Sequence, residues 1–315
     1  MRVLVTGAFG NLGERCVEQL ISAGHQVRCT DIDTAVSRAR ANRLRGRCDV
    51  VLSNICDHKQ FPALVADVDA IIHLASILPP KSDRLPGLAY AVNVEATKAL
   101  IDCAEKQAKR PLFVFPSSLT VFGPSNRDKP WRSPNDPVVA TDNYTRHKID
   151  VEAYLAASEV PWVVMRIGVS VDSRTWSTER QVIRTLLSVH PETPLEYIHP
   201  SDVARAFHRV LEVPEAAGKV LLLGGGKTCQ VTHAQFLNAA FTALGFKQAQ
   251  SIFGTNNYYT HWLDTEESQR MLGFQSTPFE QYQDELTQKF SSVRIAMLPL
   301  RPLLRPLVPR LLKYI

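Results

Sequence analysis

Hydrophobic positions along this chain recur in two rhythms, and the first 170 residues alternate between them. Short apolar runs appear at Val3-Leu4-Val5, Gln26-Val27-Arg28-Cys29-Thr30, Asp49-Val50-Val51-Leu52, Ala70-Ile71-Ile72-His73-Leu74-Ala75, Leu112-Phe113-Val114-Phe115 and Val163-Val164-Met165-Arg166. Near-continuous runs of this kind are what parallel strands buried on both faces look like. Between them the apolar spacing turns helical. Val17, Leu20 and Ile21 mark the buried face of a first helix, and further helices are predicted near 59–66, 88–108 and 142–158. This alternation predicts an α/β fold, a doubly wound parallel sheet with helices on both faces. After residue 170 the regularity weakens. Residues 172–200 hold Trp176, Arg180, Arg184, His190 and three prolines. A helix at 201–213, a strand at Lys219–Leu223 running into Gly224-Gly225-Gly226, and a helix at 232–244 follow. A smaller lobe over 171–291 is predicted, with 201–225 returning to the first domain.

Composition changes this picture little. With 315 residues, 45% apolar and 21% charged, the chain is of ordinary globular make-up and can bury a sizeable core. Strand-like residues begin at Arg2, so no signal peptide is expected. No apolar run reaches membrane-spanning length. Six cysteines are scattered without a C-x-x-C pair, which reads as buried thiols in a reducing cytoplasm. The histidines show no metal-ligand spacing, so no metal is expected.

Charge matters once it is located. The net charge is +5, and Arg294, Arg301, Arg305, Arg310 and Lys313 supply five positive charges without an acid among them. The basic balance therefore belongs to a tail, 292–315, and not to a nucleic-acid-binding face. Prolines at 299, 302, 306 and 309 interrupt that tail among leucines. It is suited either to an anionic membrane surface or to packing on its own domain or a partner subunit.

The candidate chemistry begins at the first strand. Val3–Val5 leads directly into Thr6-Gly7-Ala8-Phe9-Gly10-Asn11-Leu12-Gly13 and a helix. A glycine turn between strand and helix turns backbone N–H groups and the helix dipole towards an anion such as a dinucleotide pyrophosphate. Asp31, at the end of the second strand, follows Gly13 by eighteen residues. There a carboxylate can accept from both adenosine ribose hydroxyls and repel a 2′-phosphate, which favours NAD over NADP. Asp33 is the other candidate for that contact, and Arg28, inside the strand, is badly placed to reverse the preference. Tyr144 and Lys148 stand four apart on a predicted helix and share a face. An ammonium near a phenol favours its ionisation, and such a tyrosine can exchange a proton with an alcohol or ketone oxygen. Ser118 follows the fifth strand, at the sheet end where ligands bind, and can hydrogen-bond the same oxygen.

In combination these stretches resemble the extended short-chain dehydrogenases/reductases, the NAD-dependent epimerase/dehydratase family, over residues 1 to about 290. Thr6–Gly13 resembles that family's T-G-x-x-G-x-x-G, and Asn54-Ile55 its D-[LVI] adenine contact with Asn for Asp. His73-Leu74-Ala75-Ser76 resembles H-x-A-[AS], Asn93-Val94 the N-V that opens the fourth helix, and Ser117–Gly123 S-S-x-x-V-Y-G. Tyr144 and Lys148 match Y-x-x-x-K, Arg166-Ile167-Gly168 the R-P-x turn without its proline, and His199–Ala204 H-V-x-D-V-A. The resemblance implies a Rossmann-type domain over 1–170, a substrate-binding C-terminal lobe, and NAD as cofactor. It implies contacts to NAD from Gly7, Phe9, Gly10, Asn11, Leu12, Gly13, Asp31, Asn54, Ile55, Leu74, Ala75, Ser76, Asn93, Tyr144, Lys148 and Ile167. It assigns Ser118 to orient the substrate oxygen, Tyr144 as acid/base, and Lys148 to the nicotinamide ribose. A homodimer is the family's usual assembly.

The departures narrow the expected chemistry. Leu119-Thr120 stand where dehydratases of the family carry Asp-Glu. Gly168-Val169 and Glu196-Tyr197 occupy regions where nucleotide-sugar epimerases usually place an Asn and an Arg. Ile77-Leu78-Pro79-Pro80, Leu119 and the loop around Trp176 suggest an apolar substrate. The expected function is an NAD-dependent oxidoreductase that interconverts a secondary alcohol and a ketone by hydride transfer, in the cytoplasm or peripherally at a membrane. An NAD-retaining epimerase and a non-catalytic NAD-binding regulatory protein remain as alternatives. His73 and His199 are read as structural, and His147 as facing away from Tyr144 and Lys148.

Overall fold

The computed structural model describes residues 1–174, 180–246 and 252–296. Its strands are β1 (Arg2–Thr6), β2 (Gln26–Asp31), β3 (Asp49–Leu52), β4 (Ala70–His73), β5 (Leu112–Ser118), β6 (Trp131–Arg132), β7 (Trp162–Ile167), β8 (Pro194–Glu196), β9 (Lys219–Leu223), β10 (Gln230–Thr232) and β11 (Trp262–Leu263). The helices are α1 (Asn11–Ser22), α2 (Ala35–Arg43), α3 (Phe61–Val65), α4 (Lys81–Arg84), α5 (Pro86–Tyr90), α6 (Ala96–Glu105), α7 (Asn143–Ala156), α8 (Arg180–Ser188), α9 (Pro200–Arg209), α10 (His233–Leu244), α11 (Glu266–Leu272), α12 (Phe279–Lys289) and α13 (Ser291–Ala296).

Seven strands form one parallel sheet in the order β3-β2-β1-β4-β5-β7-β9. This is the Rossmann-like doubly wound arrangement. Successive side chains point to opposite faces of a strand, and the two cores follow that rule. Val3, Val5, Ala70, Ile72, Val114, Val163 and Met165 enter one core, together with Cys16, Val17 and Leu20 of α1 and Val203 and Phe207 of α9. Leu4, Ile71, Phe113, Phe115 and Val164 enter the other, with residues of α3, α6 and α7. Both faces are covered, so the strands need no polar alternation. A third core holds Leu187, Tyr197, Phe236, Phe279, Tyr282 and Leu286 and belongs to the later elements. The short pairings β8·β10 and β6·β11 lie outside the main sheet.

Three differences from the sequence reading bear on the site. The strand expected over 112–115 continues to Ser118, through Pro116. A proline is tolerated there because β4 pairs with β5 only as far as Val114, so no ladder donor is required at Pro116. The single helix expected over 88–108 is broken into α5, a π-helical turn at Ala91–Glu95, and α6. The basic run Arg38, Arg40, Arg43, Arg45, Arg47, by its sequence a solvated helix and loop, starts in α2 and is mostly exposed, but Arg40 turns inward from it. It donates to the Phe9 carbonyl in the glycine turn and pairs with Glu14 at 3.4 Å. Trp176 and most of the tail, 297–315, lie outside the described residues. Among the described residues no helix is long and apolar enough to cross a membrane.

Candidate active site

The carboxyl ends of β1, β2, β3 and β4 open on a cleft of about 340 Å³. Gly7, Gly10, Asp31, Asn54, Ile55, Leu74, Ala75 and Ser76 line it, together with Thr6, Ile32, Ile77, Lys81, Leu88 and Val92. The turn is built by close approach. Gly7 has φ +62°, and a Cβ there would stand 2.7 Å from the Ala75 amide nitrogen. A Cβ on Gly13 would overlap the Gly7 carbonyl, so α1 can press against the turn only through a glycine. Gly10 caps α1 without any side-chain hydrogen bond. The N–H groups of the first turn of α1 therefore remain available to an anion.

Asp31 is half-buried at the cleft. Its Oδ2 accepts the Phe9 N–H at 2.8 Å and its Oδ1 the Ile32 N–H at 2.8 Å, which fixes the carboxylate against the glycine turn. Asp33 instead pairs with Arg38 at the surface, and Arg28 is spent on Asp49 and the carbonyls of Ala63, Leu64 and Ala66. A tight glycine turn that leads into a helix start without a side-chain cap, next to a carboxylate, matches the pyrophosphate and ribose of a dinucleotide, so these residues fit NAD.

Not every residue expected at the cofactor reaches the cleft by its side chain. Phe9 and Leu12 turn theirs into the core, and the Phe9 backbone is taken up by Asp31 and Arg40. Asn11 accepts from Arg174 at 2.9 Å. Asn93, buried under the π-helical turn, spends its amide on the structure: it accepts the Ile77 N–H at 2.7 Å and donates to the Ile77 carbonyl at 2.9 Å. It shapes the wall of the cleft from behind. Ile167 is buried at the end of β7, in register with Ser118. Leu119, expected to face substrate, is a core residue packed with Phe122, Leu222 and Leu263. The cause is the extra length of β5, which turns position 119 inward.

The second part of the site lies at the end of β5. Asp142 caps α7 by accepting the Thr145 N–H at 2.7 Å, and this sets the first turn that carries Tyr144. Lys148, one turn later, is buried and donates to the Pro116 carbonyl at 2.6 Å. Its Nζ lies 4.5 Å from the Phe115 ring centre and 5.6 Å from that of Tyr144. The Ser118 hydroxyl meets Tyr144 and also Thr120, whose Oγ1 is 2.9 Å away. Ser118, Tyr144 and Lys148 are thus brought together.

Electrostatics here differ from the simple expectation of an ammonium lowering a phenol. Burial pushes Tyr144 above its ordinary value, and the Ser118 hydrogen bond only opposes it. Burial brings Lys148 down to about 8, with Glu152 pulling the other way. Glu152 was not singled out in the sequence. It stands one turn beyond Lys148, pairs with Arg166 at 2.7 Å and accepts from the Ser117 hydroxyl. Its signal was the i, i+4, i+8 spacing of Tyr144, Lys148 and Glu152 on one helix face.

His73 is locked between Thr6 and Thr97, 2.8 Å from each, and burial holds it neutral with a pKa of about 3. His199 caps α9 and meets Glu285 at 3.1 Å. His147 stacks edge-on against Tyr90 and faces Asn93. Among the described residues no cluster suited to a metal is present.

Glu196 is fully buried where β8 meets the ends of β7 and β9. It accepts N–H groups from Gly226 at 3.1 Å and Leu263 at 3.2 Å, yet burial raises its pKa to about 8. The folded chain therefore holds a proton that the unfolded chain releases above the ordinary carboxylate range. This contribution to stability is whole below that range and is lost as pH rises towards 8. Between about pH 5 and 8, the wild type should lose stability relative to Glu196→Gln, at up to about 1.4 kcal/mol per pH unit. Urea unfolding of both proteins across that interval checks this; parallel pH dependences would count against a protonated Glu196.

The sequence matches the NAD dependent epimerase/dehydratase family over residues 3–224. It is 31% identical over 131 residues to D-erythronate dehydrogenase of Haemophilus influenzae, a match covering 39% of each chain. It is 29% identical over 245 residues to cinnamoyl-CoA reductase 1 of Oryza sativa subsp. japonica, covering 70% of this chain and 71% of that one. In fold it is similar to a UDP-glucuronic acid 4-epimerase from Bacillus cereus solved with NAD, with a TM-score of 0.75 and 19% identity over 94% of this chain and 100% of that one. The chain belongs to the NAD-dependent epimerase/dehydratase family, within the extended short-chain dehydrogenases/reductases. Enzymes of this family are NAD-dependent dehydrogenases, reductases and epimerases, and NAD is the cofactor.

Proposed function

We propose that the protein is an NAD-dependent oxidoreductase that interconverts a secondary alcohol and a ketone on a small, largely apolar substrate. The observation that carries this reading is the meeting of Ser118, Tyr144 and Lys148 at the carboxyl end of β5, beside the cleft. NAD, when bound, supplies the hydride acceptor or donor. The protein's own groups handle the oxygen and its proton. Ser118 hydrogen-bonds the substrate oxygen and holds it near Tyr144. With its pKa raised by burial, Tyr144 is a neutral phenol at physiological pH and gives its proton to a carbonyl oxygen as charge develops there. In the reverse direction its phenolate takes the alcohol proton. Lys148, fixed by the Pro116 carbonyl, holds positive charge close to the tyrosine ring and favours that phenolate.

Dehydrogenation is favoured over nucleotide-sugar epimerisation by what surrounds the site. Gly168 is packed on the Glu196 backbone, and Glu196 and Tyr197 are both buried inside the lobe. Neither region presents a polar contact for a sugar diphosphate. The test is to incubate the protein with apolar secondary alcohols plus NAD, and ketones plus NADH, and to follow NADH absorbance. Net change in NADH supports the proposal. Substrate conversion with no net change in NADH would make the enzyme an epimerase.

Asp31→Ala should raise the KM for NAD by about 10- to 100-fold, the range of a lost hydrogen bond to a charged group, and narrow the preference against NADP. Steady-state kinetics with both cofactors measure this. An unchanged NAD/NADP ratio would remove Asp31 from the ribose contact.

A further inference from the structure

Two cysteines far apart in the chain meet at the edge of the sheet. Cys29 is buried in β2, and Cys48 immediately precedes β3. The Cys29 thiol points at the Cys48 sulfur across 3.6 Å. Their chain neighbours Arg28 and Asp49 are joined by a salt bridge of 2.9 Å, which holds the two strands in register beside the pair. Cys48 opens on a surface depression of about 470 Å³ lined also by Val27, Gly46, Arg47 and Asp49. One residue of the pair, half-buried, therefore borders the depression, and the other lies buried behind it.

We propose that Cys29 and Cys48 form an oxidisable dithiol, a modification site at which hydrogen peroxide closes an intrachain disulfide. The hydrogen bond from Cys29, with the Arg47 guanidinium, holds the Cys48 thiol below its ordinary value against the effect of burial. Cys48 is thus the attacking thiolate. Its sulfur attacks a peroxide oxygen; an S–O bond forms, the O–O bond breaks, and the departing hydroxide takes a proton to become water. Cys48 is now a sulfenic acid, oxidised by two electrons. The Cys29 sulfur then attacks the Cys48 sulfur; the S–S bond forms, the S–O bond breaks, and the Cys29 proton leaves with the hydroxide as a second water. Closing the gap to a bond of about 2.05 Å calls for a shift of about 1.5 Å. Cys48 can supply it, because the turn before it contains Gly46, at φ +78° with open space around it. Cys29, clamped between β1 and β3, need not move.

The half-buried Cys56 and Cys103 are internal controls, since burial raises both. The reduced full chain is treated with hydrogen peroxide and mapped by non-reducing peptide mass spectrometry. A cross-linked peptide joining Cys29 to Cys48 is expected, reversed by dithiothreitol, with Cys48 consumed at least about tenfold faster than Cys56 or Cys103. In Cys29→Ser, Cys48 should stop at a sulfenic acid that dimedone labels; in Cys48→Ser, Cys29 should stay reduced. Should Cys29→Ser not fold, the wild-type cross-link and relative rates decide alone. Equal loss of Cys48, Cys56 and Cys103, or wild-type Cys48 reaching sulfinic acid while Cys29 remains a thiol, would overturn the proposal.

Discussion

Replacing Tyr144 by phenylalanine lowers kcat by about 10²- to 10⁴-fold, the contribution of a positioned general acid/base. The change is conservative in shape. The ring keeps its place near the Lys148 ammonium, 5.6 Å from its centre, and the Asp142 cap of α7 is untouched. What goes is the hydroxyl that meets Ser118 and carries the proton. A neutral hydrogen bond of this kind is worth about 1 kcal/mol, so melting temperature and NAD binding should move little while turnover collapses. Thermal melts with and without NAD, set beside steady-state rates, separate loss of chemistry from loss of structure. Near-normal turnover in Tyr144→Phe would exclude Tyr144 as the acid/base. If the protein's biological effect survived without turnover, the non-catalytic reading would stand.

The glycine turn, the strands and the Tyr144–Lys148 face were legible because each depends on local rules. Val3 and Val5 enter one core and Leu4 the other, which is why a strand buried on both faces reads as an unbroken apolar run. Asp31 was legible from its distance to Gly13. The rest rested on partners that lie far off in the chain. Pro116 normally ends a strand; it does not here because β4 stops short of it, a fact of sheet register and not of sequence. That shift turned Leu119 inward and placed Ser118 on the strand itself. Strands such as Trp131–Arg132 and Trp262–Leu263 are too short to show any period, so their pairing could not be foreseen. Asn93 was read as a cofactor contact, but a π-helical turn without a sequence signature directs its amide at Ile77. Pro86, the first residue of α5, marks where a new helix can begin but says nothing of the π-helical turn that follows it.

Glu152→Ala should cost about 3–5 kcal/mol of stability, the penalty for leaving a buried charge without its partner. The side chains of Arg166 and Glu152 are only 7% and 10% exposed. Arg166 reaches Glu152 through Nη2 at 2.7 Å and Nε at 3.3 Å. After truncation its remaining partners among the described residues are the Pro134 carbonyl at 3.0 Å and the Phe122 ring at 5.0 Å, and neither neutralises a guanidinium. The Ser117 hydroxyl loses its acceptor as well. The damage extends to the site, because Glu152 is the group that holds the Lys148 pKa up against burial. Without it that pKa falls further below about 8, and Lys148 loses its charge at a lower pH. Glu152→Gln separates the two effects. It retains a hydrogen-bond acceptor for Ser117 and most of the volume, so it should be less destabilised than the alanine variant, yet its Lys148 should fall by a similar amount. Urea unfolding measures the first quantity, and the pH profile of kcat/KM reports the second. An alanine variant as stable as the wild type would mean that the cost of desolvating this ion pair equals what the pair returns. Glu152 would then be retained for the charge it sets at Lys148 and not for the fold.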